Sequence, residues 1–162
     1  MILRKWWLRF SGTAARDELR KIDRRVRSTE VEDAVRQVEA ALMQRDKFRV
    51  VANTAGSLLL DCRIPPLAAR LFRRYAMINT IYSDVTISHE LSRPSNLLPG
   101  YVTIGDYGGH AEILVGQDDE RVYVFDGGDG DPFEDSYPSI YHFLLSIIAI
   151  VQPELVSLAE PD

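Results

Sequence analysis

Between Pro99 and Asp126 apolar and polar residues alternate in three short runs, and the stretch predicts a β-meander. In Tyr101–Gly105, Val102 and Ile104 share one face and Tyr101 and Thr103 the other. In His110–Val115, Ala111, Ile113 and Val115 oppose His110, Glu112 and Leu114. In Arg121–Phe125, Val122 and Val124 oppose Tyr123 and Phe125, so this run is apolar on both faces and is expected at the centre of the sheet. Gly108-Gly109 supplies the first hairpin turn, and Gly116 with Asp118-Asp119 the second.

Elsewhere the period changes to that of helices. Leu19, Ile22 and Val26 form a narrow apolar stripe in Ala14–Arg27, under a basic face. Thr29 and Glu32 have the spacing of a capping box, and Val31, Val35, Val38 and Leu42 follow on one face, predicting a helix to about Gln44. Phe48–Val51 and Leu58–Leu60 read as strands around an Asn53–Gly56 turn. Ile64-Pro65-Pro66 opens a third helix, whose buried face is Leu67, Leu71 and Tyr75, flanked by Ala68 and Phe72. Ile78–Ser88 is extended, and Arg93–Asn96 is a loop. Pro138 starts a last helix with Ile140, Phe143, Leu144, Ile147 and Val151 toward the core, and Pro153 stops it. Helices, then consecutive strands, then a helix predict an α+β fold: a single domain with a largely antiparallel sheet packed by helices. Residues 1–63 are expected as an extension packing on a core formed by residues 64–162.

Charge is distributed unevenly along the chain. The net charge is −5, yet Met1–Arg27 carries nine Lys/Arg against three Asp/Glu, a net of +6, leaving −11 for the remainder. Glu112–Asp135 alone has nine acidic residues, opposed only by Arg121. The basic helix beside Trp6 and Trp7 could meet nucleic acid or an anionic membrane. The acidic remainder argues against both, and favours buried tryptophans with arginines that solvate their helix or pair with the acidic half. One cysteine, Cys62, allows no intrachain disulfide. The start lacks an uninterrupted apolar core, and the longest apolar run, Ile140–Val151, is interrupted by His142 and Ser146 and is shorter than the roughly 20 residues of a bilayer span. A cytoplasmic protein is expected.

No catalytic constellation emerges. Asp126-Gly127-Gly128-Asp129-Gly130-Asp131 suggests calcium, but from either possible start a glycine or Phe133 falls where a calcium loop needs an acidic oxygen. Pro132 stands where the nonapeptide calcium repeat needs Asp. Cys62 beside an apolar strand reads as a small core residue rather than a nucleophile. His89, His110 and His142 are too dispersed for a zinc site. Asp106 and Glu112 flank the Gly-Gly turn and could pair for acid/base work, with His110 between them, although solubilising charge is the commoner role. No catalytic residue, metal or cofactor is therefore expected.

From Ile64 onward the order of motifs resembles a known family. The proline-opened helix leads to Ile104-Gly105-Asp106-Tyr107-Gly108-Gly109, then a strand, a turn and Val122-Tyr123-Val124-Phe125-Asp126. An acidic loop and a final helix containing Phe143-Leu144 follow. This resembles the SUKH superfamily, which groups bacterial polymorphic-toxin immunity proteins with a fungal cell-wall-synthesis regulator. The resemblance spans residues 64 to about 151 and implies a non-enzymatic immunity protein that binds a cognate toxin and blocks its active site. Were that toxin a nuclease with a basic cleft, Asp118, Asp119, Glu120, Asp129, Asp131, Glu134 and Asp135 would occupy its phosphate sites and speed association. The alternative is a regulatory scaffold binding a host protein or peptide, as in the fungal branch. An enzyme built on Asp106, His110 and Glu112 ranks last.

Overall fold

A computed structural model describes residues 12–44, 48–54, 63–80, 84–109, 111–125 and 136–159. In chain order the elements are α1 (Thr13–Ser28), α2 (Val31–Met43), β1 (Phe48–Ala52), α3 (Pro66–Arg74), β2 (Tyr75–Thr80), β3 (Val85–Ser88), β4 (Arg93–Pro94), β5 (Tyr101–Tyr107), β6 (Ala111–Gly116), β7 (Val122–Phe125) and α4 (Ile140–Val151). Short 3-10 turns follow β3 (His89–Leu91) and α4 (Pro153–Leu155). The fold is α+β, as expected. Its seven-stranded sheet has the order β1-β2-β3-β5-β6-β7, with β4 also paired to β5, and every pairing is antiparallel. β1 pairs with β2, so residues on both sides of position 63 share one sheet.

The alternation read from the sequence sets which face is buried. Val102, Ile104, Ile113, Val115 and Val122 point inward and are fully buried, joined by Ile78 and Ile87 from β2 and β3. The helices belong to the same hydrophobic cluster, through Val26 of α1, Val35 and Val38 of α2, Leu71 and Phe72 of α3 and most of α4. α4 is buried from Ile140 to Ala149 on every side and touches α1, α2 and α3, which explains a helix with almost no polar face. The polar groups it buries are paired. Ser139 caps it by accepting from the His142 N–H, and the His142 ring lies 2.8 Å from both Ser139 Oγ and the Thr29 carbonyl. Burial lowers the pKa of this imidazole, against the opposing pull of the Thr29 carbonyl. Glu39 of α2 ties three helices together: its carboxylate takes Arg74 at 2.6 Å, Arg70 at 3.4 Å and a hydrogen bond from the Tyr141 hydroxyl.

Three expectations are corrected. β7 is the last strand in the sheet order, not a central one; Val122 and Tyr123 are buried while Val124 and Phe125 are half-buried. Among the described residues its outer edge is bridged once, where Val122 pairs with Tyr137. Its start is apolar on both faces because Val122 joins the core while the Tyr123 ring packs edge-on against Tyr101, 5.2 Å between centroids. Thr29 does not cap α2, because its hydroxyl donates to the Arg25 carbonyl and closes α1 instead, and Glu30 takes the cap position without a side-chain bond. Tyr75 starts β2 rather than ending α3, so the chain passes from helix to strand with no intervening turn. Among the described residues, Arg20, Lys21 and Arg27 form ion pairs within α1, to Asp17, Glu18 and Asp23. The expected strand at Leu58–Leu60, Cys62, and Trp6 and Trp7 lie outside the described residues.

Candidate functional site

The turn from β6 to β7 holds three of the acidic residues singled out from the sequence, and their positions differ. Glu120 N–H donates to the Gly116 carbonyl at 3.2 Å, and Asp119 Oδ1 accepts from the Arg121 N–H at 3.0 Å, so Asp119 holds the turn itself. A Cβ on Gly116 would overlap that same Asp119 oxygen, so a larger residue there would push the Asp119 side chain out of its place in the turn. Glu120 has a φ of 62° and turns back toward the body of the protein. Both of its oxygens lie 3.1 Å from the Leu67 N–H, one of the first-turn donors of α3 left without an intrahelical acceptor. Pro65 and Pro66 offer no side-chain acceptor, so a carboxylate from 53 residues further along caps α3. Burial raises the Glu120 pKa, and the Leu67 N–H only partly offsets it. Asp118 is the outward one of the three. Its side chain is 87% exposed and sits 3.6 Å from Arg63, itself largely solvated, a pairing worth little.

Asp129, Asp131, Glu134 and Asp135, together with the Asp126–Asp131 stretch weighed for calcium, lie outside the described residues. Just after them the chain is described again: Tyr137 exchanges backbone hydrogen bonds with Val122 at 3.0 and 2.9 Å. The return from the second acidic stretch is thus stitched beside the turn that carries Asp118.

A second feature lies on the outer face of the sheet. The register of β5 and β6 shifts between Thr103 and Gly105, a β-bulge. Before it, even-numbered residues of β5 point inward; after it, Gly105 and Tyr107 take the inner side and Asp106 is turned out. Gly105 cannot be replaced cheaply, since a Cβ would sit 2.2 Å from the Thr86 carbonyl oxygen of β3. On the far side of β5 the partner strand is interrupted. β3 pairs with β5 at Gly105–Tyr107 and β4 at Val102-Thr103, with the His89–Leu91 turn between them. Bulge and interruption leave a cleft of about 290 Å³, lined by Leu91, Arg93, Thr103, Gly105, Asp106, Gly109, Ala111 and Glu112.

Asp106 and Glu112 are direct cross-strand partners in this cleft, two carboxylates on one face. The like-charge cost is offset on one side only. Glu112 is fully engaged: one oxygen takes Arg93 at 2.7 Å, the other accepts from the Thr103 hydroxyl at 3.0 Å. Asp106 accepts only a long bond, 3.4 Å, from the Gly109 N–H, and no cation pairs with it among the described residues. His110, which the sequence places between these two carboxylates, lies outside the described residues. The cleft joins Asp106 and Glu112 as the sequence anticipated. Arg93 and Thr103 were missed, although a strand-interior glycine and the break in alternation at Asp106 both mark a bulge.

Among the described residues no group of three or more His, Cys, Asp and Glu is placed to hold a metal ion, and no helix is long and apolar enough to cross a membrane. His142 has both ring nitrogens committed within the core, and His89 is buried against Phe72, so neither faces the cleft's carboxylates as a base. No match to this chain is found among protein-family models, curated proteins or solved structures.

Proposed function

We propose that this chain is a non-enzymatic protein-binding module of the immunity kind, acting in the cytoplasm to neutralise a cognate toxin, with a nuclease as the favoured toxin class. The reading rests on the resemblance carried by Ile104–Gly109, Val122–Asp126 and Phe143-Leu144. The observation that carries it furthest is the Val122–Tyr137 bridge, which ties the end of the second acidic stretch to the turn bearing the solvent-facing Asp118. Electrostatic steering of a basic partner draws on concentrated negative charge, and Glu112–Asp135 carries nine acidic residues against Arg121 alone.

The test begins with the partner. A polypeptide recovered with this chain from its native cells should arrest growth when expressed alone and be tolerated when the two are co-expressed. Replacing Asp118, Asp129, Asp131, Glu134 and Asp135 together by Asn or Gln should slow association and flatten its salt dependence, because charge attraction mainly sets the on-rate and is screened over about 8–10 Å. A recovered partner that is harmless in both settings would sink the immunity reading and point to a regulatory scaffold. Unaltered protection and salt dependence would remove the acidic stretches from the interface.

A further inference from the structure

The cleft on the outer face is a socket in which, among the described residues, one charge has been left uncompensated. Its floor is made of small residues, Gly105, Gly109 and Ala111, so the space is not filled from within. Leu91, 41% exposed, forms an apolar wall. Glu112 is already neutralised by Arg93 and steadied by Thr103, which fixes its side chain and leaves it little capacity for a second cation. Asp106 is half-buried at the base of the hairpin turn and has one weak backbone contact. A carboxylate can only accept, so its complement must be a donor, and the site already contains a bound example of the fitting chemistry in the Arg93–Glu112 pair. An apolar wall and an open carboxylate together match a side chain with a methylene stem and a planar, weakly hydrated cationic head.

We propose that this cleft receives an arginine side chain of the protein partner, its guanidinium paired with Asp106 and its stem laid against Leu91. The assignment rests on the protein-binding reading above and names the chemistry that the partner must present. Guanidinium is favoured over ammonium because a fork of N–H donors can engage both Asp106 oxygens at once. It also loses less hydration on entering a confined site.

The experiment uses the isotope-labelled chain and three small probes: N-acetyl-arginine amide, its lysine counterpart and its citrulline counterpart, which keeps the shape and lacks the charge. The arginine amide should produce saturable shifts in the Gly109, Ala111 and Glu112 backbone amide resonances, with weaker effects from the lysine amide and none from the citrulline amide. Asp106→Asn should weaken the arginine probe by roughly tenfold or more, as expected for a lost charge-assisted hydrogen bond. Its Oδ1 can still accept from Gly109, and unchanged resonances elsewhere would verify the fold. No saturable shift, equal binding of the lysine or citrulline probe, or equal binding by the Asp106→Asn variant would each overturn the assignment. A working socket with a harmless partner would sink only the immunity reading. A failed titration with a toxin that is still neutralised would sink only the socket.

Discussion

The two faces of the sheet are built from the same strands yet obey different rules. On the inner face Val102, Ile104, Ile113 and Val115 are fully buried in the cluster shared with the helices. On the outer face of the same two strands stand Thr103, Asp106 and Glu112, and that cluster includes no residue from this side. The inner face is determined by volume; the outer is divided, apolar where Leu114 and Tyr123 are buried and charge-paired beyond the bulge at Asp106 and Glu112. Strict alternation from Val102 and Ile104 would send Asp106 into the core. The bulge at Ile104–Gly105 prevents this by one extra residue. A local irregularity thus lets one strand serve a closed core and an open charged surface.

The largest expected effect is a charge on the closed side. Ile113→Asp puts a carboxylate at a fully buried position facing only apolar groups, and should cost upward of about 4 kcal/mol, enough to unfold much of the population. Denaturant unfolding would measure it. A variant within about 1 kcal/mol of the parent would mean that the inner face tolerates charge as the outer one does, erasing the distinction.

Next is the device that separates the two faces. Gly105→Ala places a methyl 2.2 Å from the Thr86 carbonyl oxygen, a backbone atom that cannot swing away. β3 must move from β5, at a cost of roughly 1–3 kcal/mol, and the cleft beside the bulge should distort with it. Preserved stability would show that the close approach of β3 and β5 is not what fixes the bulge.

Much of this was legible in the sequence, because period-two alternation and turn glycines are local signals. The β5–β6 and β6–β7 hairpins, the proline-opened α3 and the apolar α4 follow directly from residue spacing. What escaped depends on distant parts of the chain. β7 reads as central because Val122 and Tyr123 are apolar, whereas the fold places it last in the sheet with Tyr123 packed on Tyr101 across the outer face. Glu120 reads as a free surface acid because nothing near it says that α3 lacks a cap. Arg93 lies in what reads as a loop, and only the fold brings it onto Glu112.

A smaller effect separates an acid that holds the structure from one that does not. Glu120→Ala removes the cap on α3 and should cost about 0.5–2 kcal/mol, whereas Glu120→Gln keeps an acceptor for the Leu67 N–H and should cost less. The pH dependence has a definite sign. The folded protein holds the Glu120 proton more tightly than the unfolded chain does, so the native state binds more protons in the window just above the ordinary carboxylate range. Within that window this residue makes stability fall as pH rises, and Glu120→Gln should remove its contribution. Melting curves of the two variants from about pH 4 to 7 would read this. A Glu120→Ala variant as stable as the parent would return Glu120 to the free surface acids.

The smallest expected effect falls on Asp106, and its direction is informative. Asp106 faces Glu112 across the strand pair, and like charges directly opposite destabilise a sheet by roughly 0.2–1 kcal/mol. Arg93 compensates Glu112 and not Asp106, so Asp106→Asn removes repulsion while retaining an acceptor for the Gly109 N–H. The variant should therefore be as stable as the parent or slightly more so, and the gain should shrink at high salt as the repulsion is screened. A residue whose removal stabilises the free protein while weakening its hold on a guanidinium is kept for binding rather than for folding. Clear destabilisation by Asp106→Asn would mean that the carboxylate supports the hairpin, and the outer face would then be structural at the one point where it now stands open.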